Sequence, residues 1–462
     1  MNRLAYSLFI ICLISFHSMK AQKDTGRSMM YHIQEIKFKG NDITKSHIIL
    51  REMTMQVGDS ILSSDLEDEL KFNKRRILNL QLFSTVQYSV EYLDNRNIHI
   101  EFLITEIFFW IPRPIFSLAD RNFNVWWKEQ NHQLDRTNLG LEMTRLNFRG
   151  RNERVGGTVQ VGYNKFFDLF YKIPFIDKQL KQGLGISATY ATGREINYIT
   201  HKNKIEFYRN DEYPYQRFQT ELTYTYRPGY AFIHEANLSY NYMAITQAMF
   251  DKSPNYLGGT RKINFFELKY TIGFNNTDFR IYPLNGIDAK ITILKRGLGI
   301  DKDVNQFNIR TECSFYQKIT SKISTSFVFR GRLAFPQEQP YYFNTGLGYK
   351  NEYLRGYEYY VIDGSHYGLL RLNLRHKIID RVIHQHILPI FKYIPISFYA
   401  KAYNDIGYIY SKYPKTSFLN NRILNGYGIG IDLVVSYYAK FRIEYSFNHL
   451  NQNGLFLHGN KE

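Results

Sequence analysis

Two short motifs hold the side chains whose types and spacing could do chemistry. Arg355 sits in Leu354-Arg355-Gly356-Tyr357, within a glycine- and tyrosine-rich stretch that reads as a long loop between strands. Asp405 sits in Tyr403-Asn404-Asp405-Ile406-Gly407, inside a strand. A guanidinium and a carboxylate are equipped for charge-assisted hydrogen bonding, bidentate where the planar fork meets both oxygens. The strand's parity can be read. Ile394, Ile396, Phe398, Ala400 and Ala402 are apolar, and Pro395, Ser397, Lys401, Asp405 and Gly407 lie between or beyond them on the other face. Successive strand side chains point to opposite faces, so Asp405 belongs to a polar face. On the residues alone, Arg355 reads as the decoration of a solvated loop.

Bond-breaking chemistry has no comparable signature. Gly-x-Ser-x-Gly, His-Glu-x-x-His, the phosphate-binding loop and Cys-x-x-Cys are all absent. The expectation is a non-enzyme with no cofactor and no metal. His384-Gln385-His386 is the one close histidine pair, and it reads as a connection between strands rather than a metal site. Lys74-Arg75-Arg76 reads as a solvated helix face, with a lipid- or partner-binding patch as the alternative. Asp432 and Glu444 read as inward carboxylates of a lumen, not as an acid–base dyad.

Addressing narrows the class. Residues 1–22 read as a secretory signal: Arg3, a short apolar run from Leu4 to Phe16, and Ala21 before the cut. The run is shorter than the roughly 20 residues a spanning helix needs. It holds Cys12, so the mature chain keeps Cys313 alone and no internal disulfide is expected. No lipid anchor is expected either. The net charge of +17 becomes +15 without Arg3 and Lys20. Such charge suits nucleic acid or anionic lipid headgroups, and the export signal favours the second. Aromatics at 16% suit the girdles of a membrane barrel.

Residues 30–107 read as a β-α-α-β-β module. Residues 31–39 alternate as a strand that Gly40-Asn41 ends. Thr44 or Ser46 caps a helix running to about Gln56, stopped by Gly58. Ser63-Ser64-Asp65 opens a second helix with Leu66, Leu70 and Ile77 as its inner stripe. Residues 81–92 and 98–105 are strands around the turn Asp94-Asn95-Arg96-Asn97. The order resembles a POTRA domain (polypeptide-transport-associated), through Gly40-Asn41, Gly58-Asp59 and Leu82-Phe83-Ser84-x-Val86. Glu106 closes the last strand. One copy is present.

Residues 111–462 read as a transmembrane β-barrel. In residues 439–448, Ala439, Phe441, Ile443, Tyr445 and Phe447 alternate with Lys440, Arg442, Glu444, Ser446 and Asn448. Transmembrane strands of about 9–11 residues alternate this way, and a lipid-embedded sheet must close. We count 16 strands, starting near residues 115, 136, 153, 167, 182, 213, 229, 262, 285, 303, 321, 365, 393, 424, 438 and 454. A soluble all-β protein is the competing reading.

Behind the POTRA module, the barrel motifs resemble the outer-membrane protein assembly superfamily of BamA/TamA type, which includes bacterial surface antigen barrels. Leu354-Arg355-Gly356-Tyr357 matches its Val/Leu-Arg-Gly-Phe/Tyr loop motif after strand eleven. Tyr403-x-Asp405-x-Gly407 matches its strand-thirteen motif. Asp278, Tyr282-Pro283 and Gly286 resemble the entry to strand nine, and Pro174-Phe175 the close of strand four. The resemblance implies that the loop enters the lumen, that Arg355 meets Asp405 and that Tyr403 flanks the guanidinium. It implies an outer-membrane location with the POTRA domain in the periplasm. It also implies insertion of outer-membrane proteins or translocation of polypeptides, with outer-membrane lipids, unfolded substrates and periplasmic or lipoprotein accessory factors as partners, and no nucleic acid. A two-partner-type secretion pore and a non-transporting surface barrel remain alternatives. Central assembly factors of the family usually carry several POTRA domains. Such barrels often end in an aromatic residue, whereas this chain ends in Glu462. Phe456 and Gly459 are candidate residues of a first–last strand seam.

Overall fold

The computed structural model describes residues 29–119, 126–127, 131–299, 304–349, 352–384, 393–435 and 439–458. The secretory-signal reading, Gln385, His386 and the seam candidate Gly459 lie outside these residues.

The N-terminal module comprises β1 (Met30–Lys39), α1 (Ser46–Leu50), β2 (Ser60–Leu62), α2 (Leu66–Leu78), β3 (Phe83–Tyr92) and β4 (Asn97–Glu106). Its sheet runs β2-β1-β4-β3, with β1 and β4 parallel and the other pairs antiparallel. Leu66, Leu70 and Ile77 of α2 face this sheet and are buried with Ile33, Val86, Ile98, Ile100 and Phe102. Two expectations need correction. The first helix ends at Leu50, not near Gln56. Beyond it the chain leaves the helix to bury Met53 and Met55, and the Thr54 amide donates to Asn73 Oδ1 of α2 (2.8 Å). The short strand β2, antiparallel to β1, was also not foreseen. Its three residues leave no room for an alternating pattern.

Beyond this module, the described residues build a separate hairpin and one 16-stranded antiparallel sheet. Its members are β5 (Trp110–Leu118), β6 (Thr137–Phe148), β7 (Glu153–Gly162), β8 (Asn164–Ile173), β9 (Gln182–Gly193), β12 (Tyr215–Tyr226), β13 (Phe232–Ile245), β14 (Lys262–Asn275), β15 (Gly286–Arg296), β16 (Gln306–Lys318), β17 (Ile323–Phe335), β18 (His366–His384), β19 (Tyr393–Tyr410), β20 (Ile423–Val435), β21 (Ala439–Asn448) and β22 (Asn453–His458). The expected starts agree with these to within a few residues, because turn clusters punctuate every strand. Alternation is realised side by side: Phe441, Ile443 and Tyr445 point out, and Arg442, Glu444 and Ser446 are buried. Outward side chains such as Leu169, Ile429 and Ile423 are 70%, 64% and 72% exposed. A soluble protein would not display an apolar belt of this extent, which suits lipid. Among the described residues, no hydrogen-bonded pairing joins β5 to β22.

A separate hairpin, β10 (Glu195–His201) and β11 (Lys204–Arg209), follows β9 at the far end. Arg136, 2% exposed, grips Glu195 at its base through two bonds of 2.7 and 3.0 Å. At its tip the Asn203 carboxamide donates to the Val361 carbonyl and the Ser417 hydroxyl. Its oxygen accepts from the amides of Phe418 and Leu419. The hairpin is thereby tied to the loop between β17 and β18 and to the loop between β19 and β20.

The opposite end of the sheet carries the N-terminal module. Arg51 donates to the carbonyls of Leu180, Arg227 and Gly229 in two turns of the sheet. Asn147 donates to Thr44 Oγ1 (2.7 Å), and Asn79 to the Asp278 carbonyl. Glu52 is the hub, with Arg227 at 3.0 Å, Arg51 at 3.6 Å and Arg76 at 3.7 Å. Arg76 also lies 3.9 Å from the ring centroid of Tyr230. The expected solvated face at Lys74-Arg75-Arg76 is therefore corrected for Arg76, which is drawn into this joint. Burial disfavours the Glu52 charge, but Arg227 and Arg51 outweigh it and hold its pKa below 4.5.

Candidate functional site

The loop joining β17 to β18 turns back into the sheet's concave side, and Arg355 is 1% exposed there. Its seat is prepared by the backbone. Gly356 has φ +88, a left-handed conformation that L side chains rarely adopt, and an added Cβ would lie 2.7 Å from the Phe447 carbonyl. Asn448 donates to the Gly356 carbonyl at 2.6 Å. Leu354 packs among Leu347, Leu369, Ile409 and Leu424, and Gly407 leaves it room. The Tyr357 hydroxyl donates to the Asn425 carbonyl (3.1 Å) and also meets His449. Burial pushes its pKa up to about 12.

β19 delivers the partner. Tyr403, Asp405 and Gly407 share the buried face, as the parity required. Arg355 Nε donates to Asp405 Oδ2 at 3.0 Å and Nη2 to Oδ1 at 2.5 Å, a bidentate pair. The Arg355 amide also donates to Oδ2, at 3.2 Å. The guanidinium lies over the Tyr403 ring, 3.9 Å from its centroid, and the Tyr403 hydroxyl meets Ser446 at 2.6 Å. Nη1 reaches Asn373 Oδ1 at 2.8 Å and Glu444 Oε1 at 3.1 Å. Burial disfavours the arginine's charge, yet Asp405 and Glu444 outweigh it and raise its pKa above the ordinary value. It is a fixed cation at every biological pH.

The pair is the centre of a larger ionic network. Arg371 Nε stands 3.6 Å from Asp405, and Arg371 donates to the Tyr353 carbonyl. Lys401 lies 2.8 Å from Asp432 and 2.7 Å from Glu444. Arg442 donates to Asp432 at 2.9 Å. Tyr282, in the turn between β14 and β15, donates to Asp432 at 2.8 Å. Chemically, the arrangement holds a loop in place.

The loop also touches the last strand. Tyr353 stacks on His458 with ring centroids 4.9 Å apart, and Tyr359 meets Phe456 edge-on at 5.6 Å. Phe456 thus points inward against the loop, with Leu455 and Leu457 facing out.

Some contributors were not read from the sequence. Glu444 was placed inward but not paired with Arg355, and Asn373 was not singled out. Gly426 was missed as well, although a Cβ there would lie 1.9 Å from the Arg355 carbonyl. Its signal was the row of glycines on the inward face of β20. Among the described residues, no group of three or more metal-ligating side chains occurs.

Comparisons with known proteins agree with this architecture. The structure resembles BamA from Haemophilus ducreyi lacking POTRA domains 1-3, with TM-score 0.54 and 17% identity, covering 94% of this chain and 85% of that one. It also resembles CdiB from Escherichia coli, with TM-score 0.54 and 10% identity, covering 93% and 76%. No curated protein matches the sequence. Residues 31–106 match the POTRA family described as surface antigen variable number repeat. Residues 147–454 match the Omp85 superfamily domain, which spans most of the chain, from the end of β6 to the start of β22, and the chain belongs to the Omp85 superfamily.

Proposed function

We propose that this chain is a polypeptide-handling barrel of the bacterial outer membrane, inserting outer-membrane proteins or translocating polypeptides, with its POTRA domain in the periplasm. The observation that carries this reading is the open edge of that domain. β3 is hydrogen-bonded to β4 on one side only among the described residues, and the domain is fixed at the mouth of the sheet by Arg51, Glu52 and Arg76. An unfolded exported chain can add to that edge as a strand, by main-chain hydrogen bonds that ignore its sequence. The barrel then passes it on or templates it. The outward apolar belt contacts lipid, and periplasmic or lipoprotein factors assist delivery.

The Arg355 latch serves this function structurally. It holds the loop on which Tyr353 and Tyr359 steady β22. With β22 six residues long and unpaired to β5 among the described residues, the first–last strand contact is the seam through which a substrate reaches lipid. Depletion of the protein followed by outer-membrane proteomics tests the reading. Broad loss of β-barrel proteins is the expected outcome. Loss of one secreted protein instead assigns a dedicated secretion pore, and an unchanged proteome and secretome contradicts transport altogether.

A further inference from the structure

The hairpin of β18 and β19 outruns its neighbours at the POTRA end of the sheet. β18 runs in the direction of β12 and β14, and the turns after those two strands carry part of the POTRA joint. Its pairing with β17 stops at His376, and the Lys377 amide makes a last bond to the Lys322 carbonyl. Residues 378–384, seven in number, continue with β19 alone, down to the pair His384 and Tyr393. That stretch reaches roughly 23 Å at about 3.3 Å per residue. β20 leaves β19 at Ile396. The side chains sort by face. On the inner face Asp380 accepts from Ser397 at 2.9 Å and from Lys377 at 2.8 Å, and Val382 and Pro395 follow. On the outer face Ile379 pairs with Phe398, Arg381 with Ile396 and Ile383 with Ile394. A bulge between Lys377 and Ile379 moves the outward positions of β18 from even to odd numbers, so this face continues the apolar wall of Leu374, Ala400 and Ala402. Ile379 and Ile383 are 43% and 48% exposed. A two-stranded hairpin with an uncovered apolar face is marginal in water.

We propose that the outer face of this hairpin rests on the phospholipid headgroups of the periplasmic leaflet, as an interfacial anchor of the barrel. Continuity decides the partner, because the face extends the wall that meets lipid. The charged residue on that face among the described residues is Arg381, and a guanidinium suits headgroup phosphates. The backbone decides the depth. Beyond Lys377 the β17-side edge of β18 is unpaired among the described residues, and an unpaired edge is excluded from hydrocarbon. The hairpin therefore belongs in the hydrated interface, where apolar side chains dip into the boundary between headgroups and acyl chains. An incoming polypeptide strand would pair the edge but leave the apolar face uncovered. The inference rests on the outer-membrane reading and goes beyond it by assigning the hairpin a membrane contact outside the barrel wall.

The test uses the full chain with its exposed cysteine removed by Cys313→Ser, reconstituted in vesicles of phosphatidylethanolamine and phosphatidylglycerol. Ile383→Cys on the outer face, Val382→Cys on the inner face and Ile429→Cys on the barrel wall each carry an environment-sensitive fluorophore. Quenching is compared between lipids spin-labelled at the headgroup and lipids spin-labelled deep in the acyl chain. The headgroup label should quench Ile383→Cys at least roughly twofold more than Val382→Cys, and more than the deep label does, as an interfacial site requires. Ile429→Cys should favour the deep label. If Ile383→Cys does not fold, Ile394→Cys carries the same expectation. Quenching at Ile429 with none at Ile383 overturns the anchor and leaves the barrel reading intact, whereas no quenching at either position overturns both. Equal quenching at Ile383 and Val382 overturns the assignment of the face. Shielding of Ile383 that arises only on adding an unfolded outer-membrane polypeptide gives the face to substrate and also overturns the anchor.

Discussion

Arg355 is held by more bonds than a loop side chain needs for solubility, and their removal should be costly. Arg355→Ala leaves Asp405 buried without its bidentate cation and takes one of the cations from Glu444, which keeps Lys401. Removing one partner of a buried pair typically costs about 3–5 kcal/mol. The expected outcome is faster proteolysis within the loop and a lower Tm; unchanged cleavage and Tm would contradict the latch. Arg355→Lys keeps the charge but cannot make the bidentate fork, so it should recover only part of the loss. Gly426→Ala makes the same point from the opposite wall, because its methyl would occupy the place of the Arg355 carbonyl. It should loosen the loop as Arg355→Ala does, measured by hydrogen exchange across the loop. At this scale Asp405 was legible through strand parity alone. Arg355 was legible only through the family motif, since nothing local to a loop reveals which wall it will meet. Glu444 and Asn373 became partners through the curvature of the sheet, which a linear sequence does not display.

Among the elements, the POTRA joint carries a pH dependence through Glu52. Glu52 is ionised and its pKa is depressed when docked. A depressed carboxylate contributes stability above its undocked value and loses it as pH falls through the docked value. Docking should therefore persist at neutral pH and weaken progressively as pH drops below 4.5, the undocked value. Crosslinking between single cysteines placed in α2 and in the β12–β13 turn would report it. Glu52→Gln should abolish that pH dependence, while a wild-type pH profile in this variant would exclude Glu52 as the switch. At the far end, Asn203→Ala strips partners from the Val361 carbonyl and the Phe418 and Leu419 amides. Unmet buried polar groups cost about 1–3 kcal/mol each, so hydrogen exchange in β10 and β11 should accelerate. Helix α2 and the barrel strands were readable because their periods are long and regular. The early end of α1 was not, because Arg51 and Glu52 belong to the joint with the barrel and the residues after them turn into the core. Arg76 was misplaced for the same reason: it meets Glu52 of its own module and Tyr230 in the distant β12–β13 turn.

For the molecule as a whole, strand count, strand order and the position of the loop after strand eleven were all written in alternation and turn residues. Docking and the far-end hairpin were not, because they depend on contacts between segments distant in sequence. The proposed seam gives a prediction at this scale: a disulfide engineered between β5 and β22 should block function under oxidising conditions and restore it on reduction. Function unaffected by the crosslink would reject an opening seam. The central claim is that a latched Omp85 barrel handles polypeptides at the outer membrane. It is tested most directly by measuring outer-membrane β-barrel protein levels in depleted cells that make either the wild-type chain or Arg355→Ala at equal abundance. The account predicts recovery with the wild-type chain and a persistent deficit with Arg355→Ala. Full recovery with Arg355→Ala would contradict it.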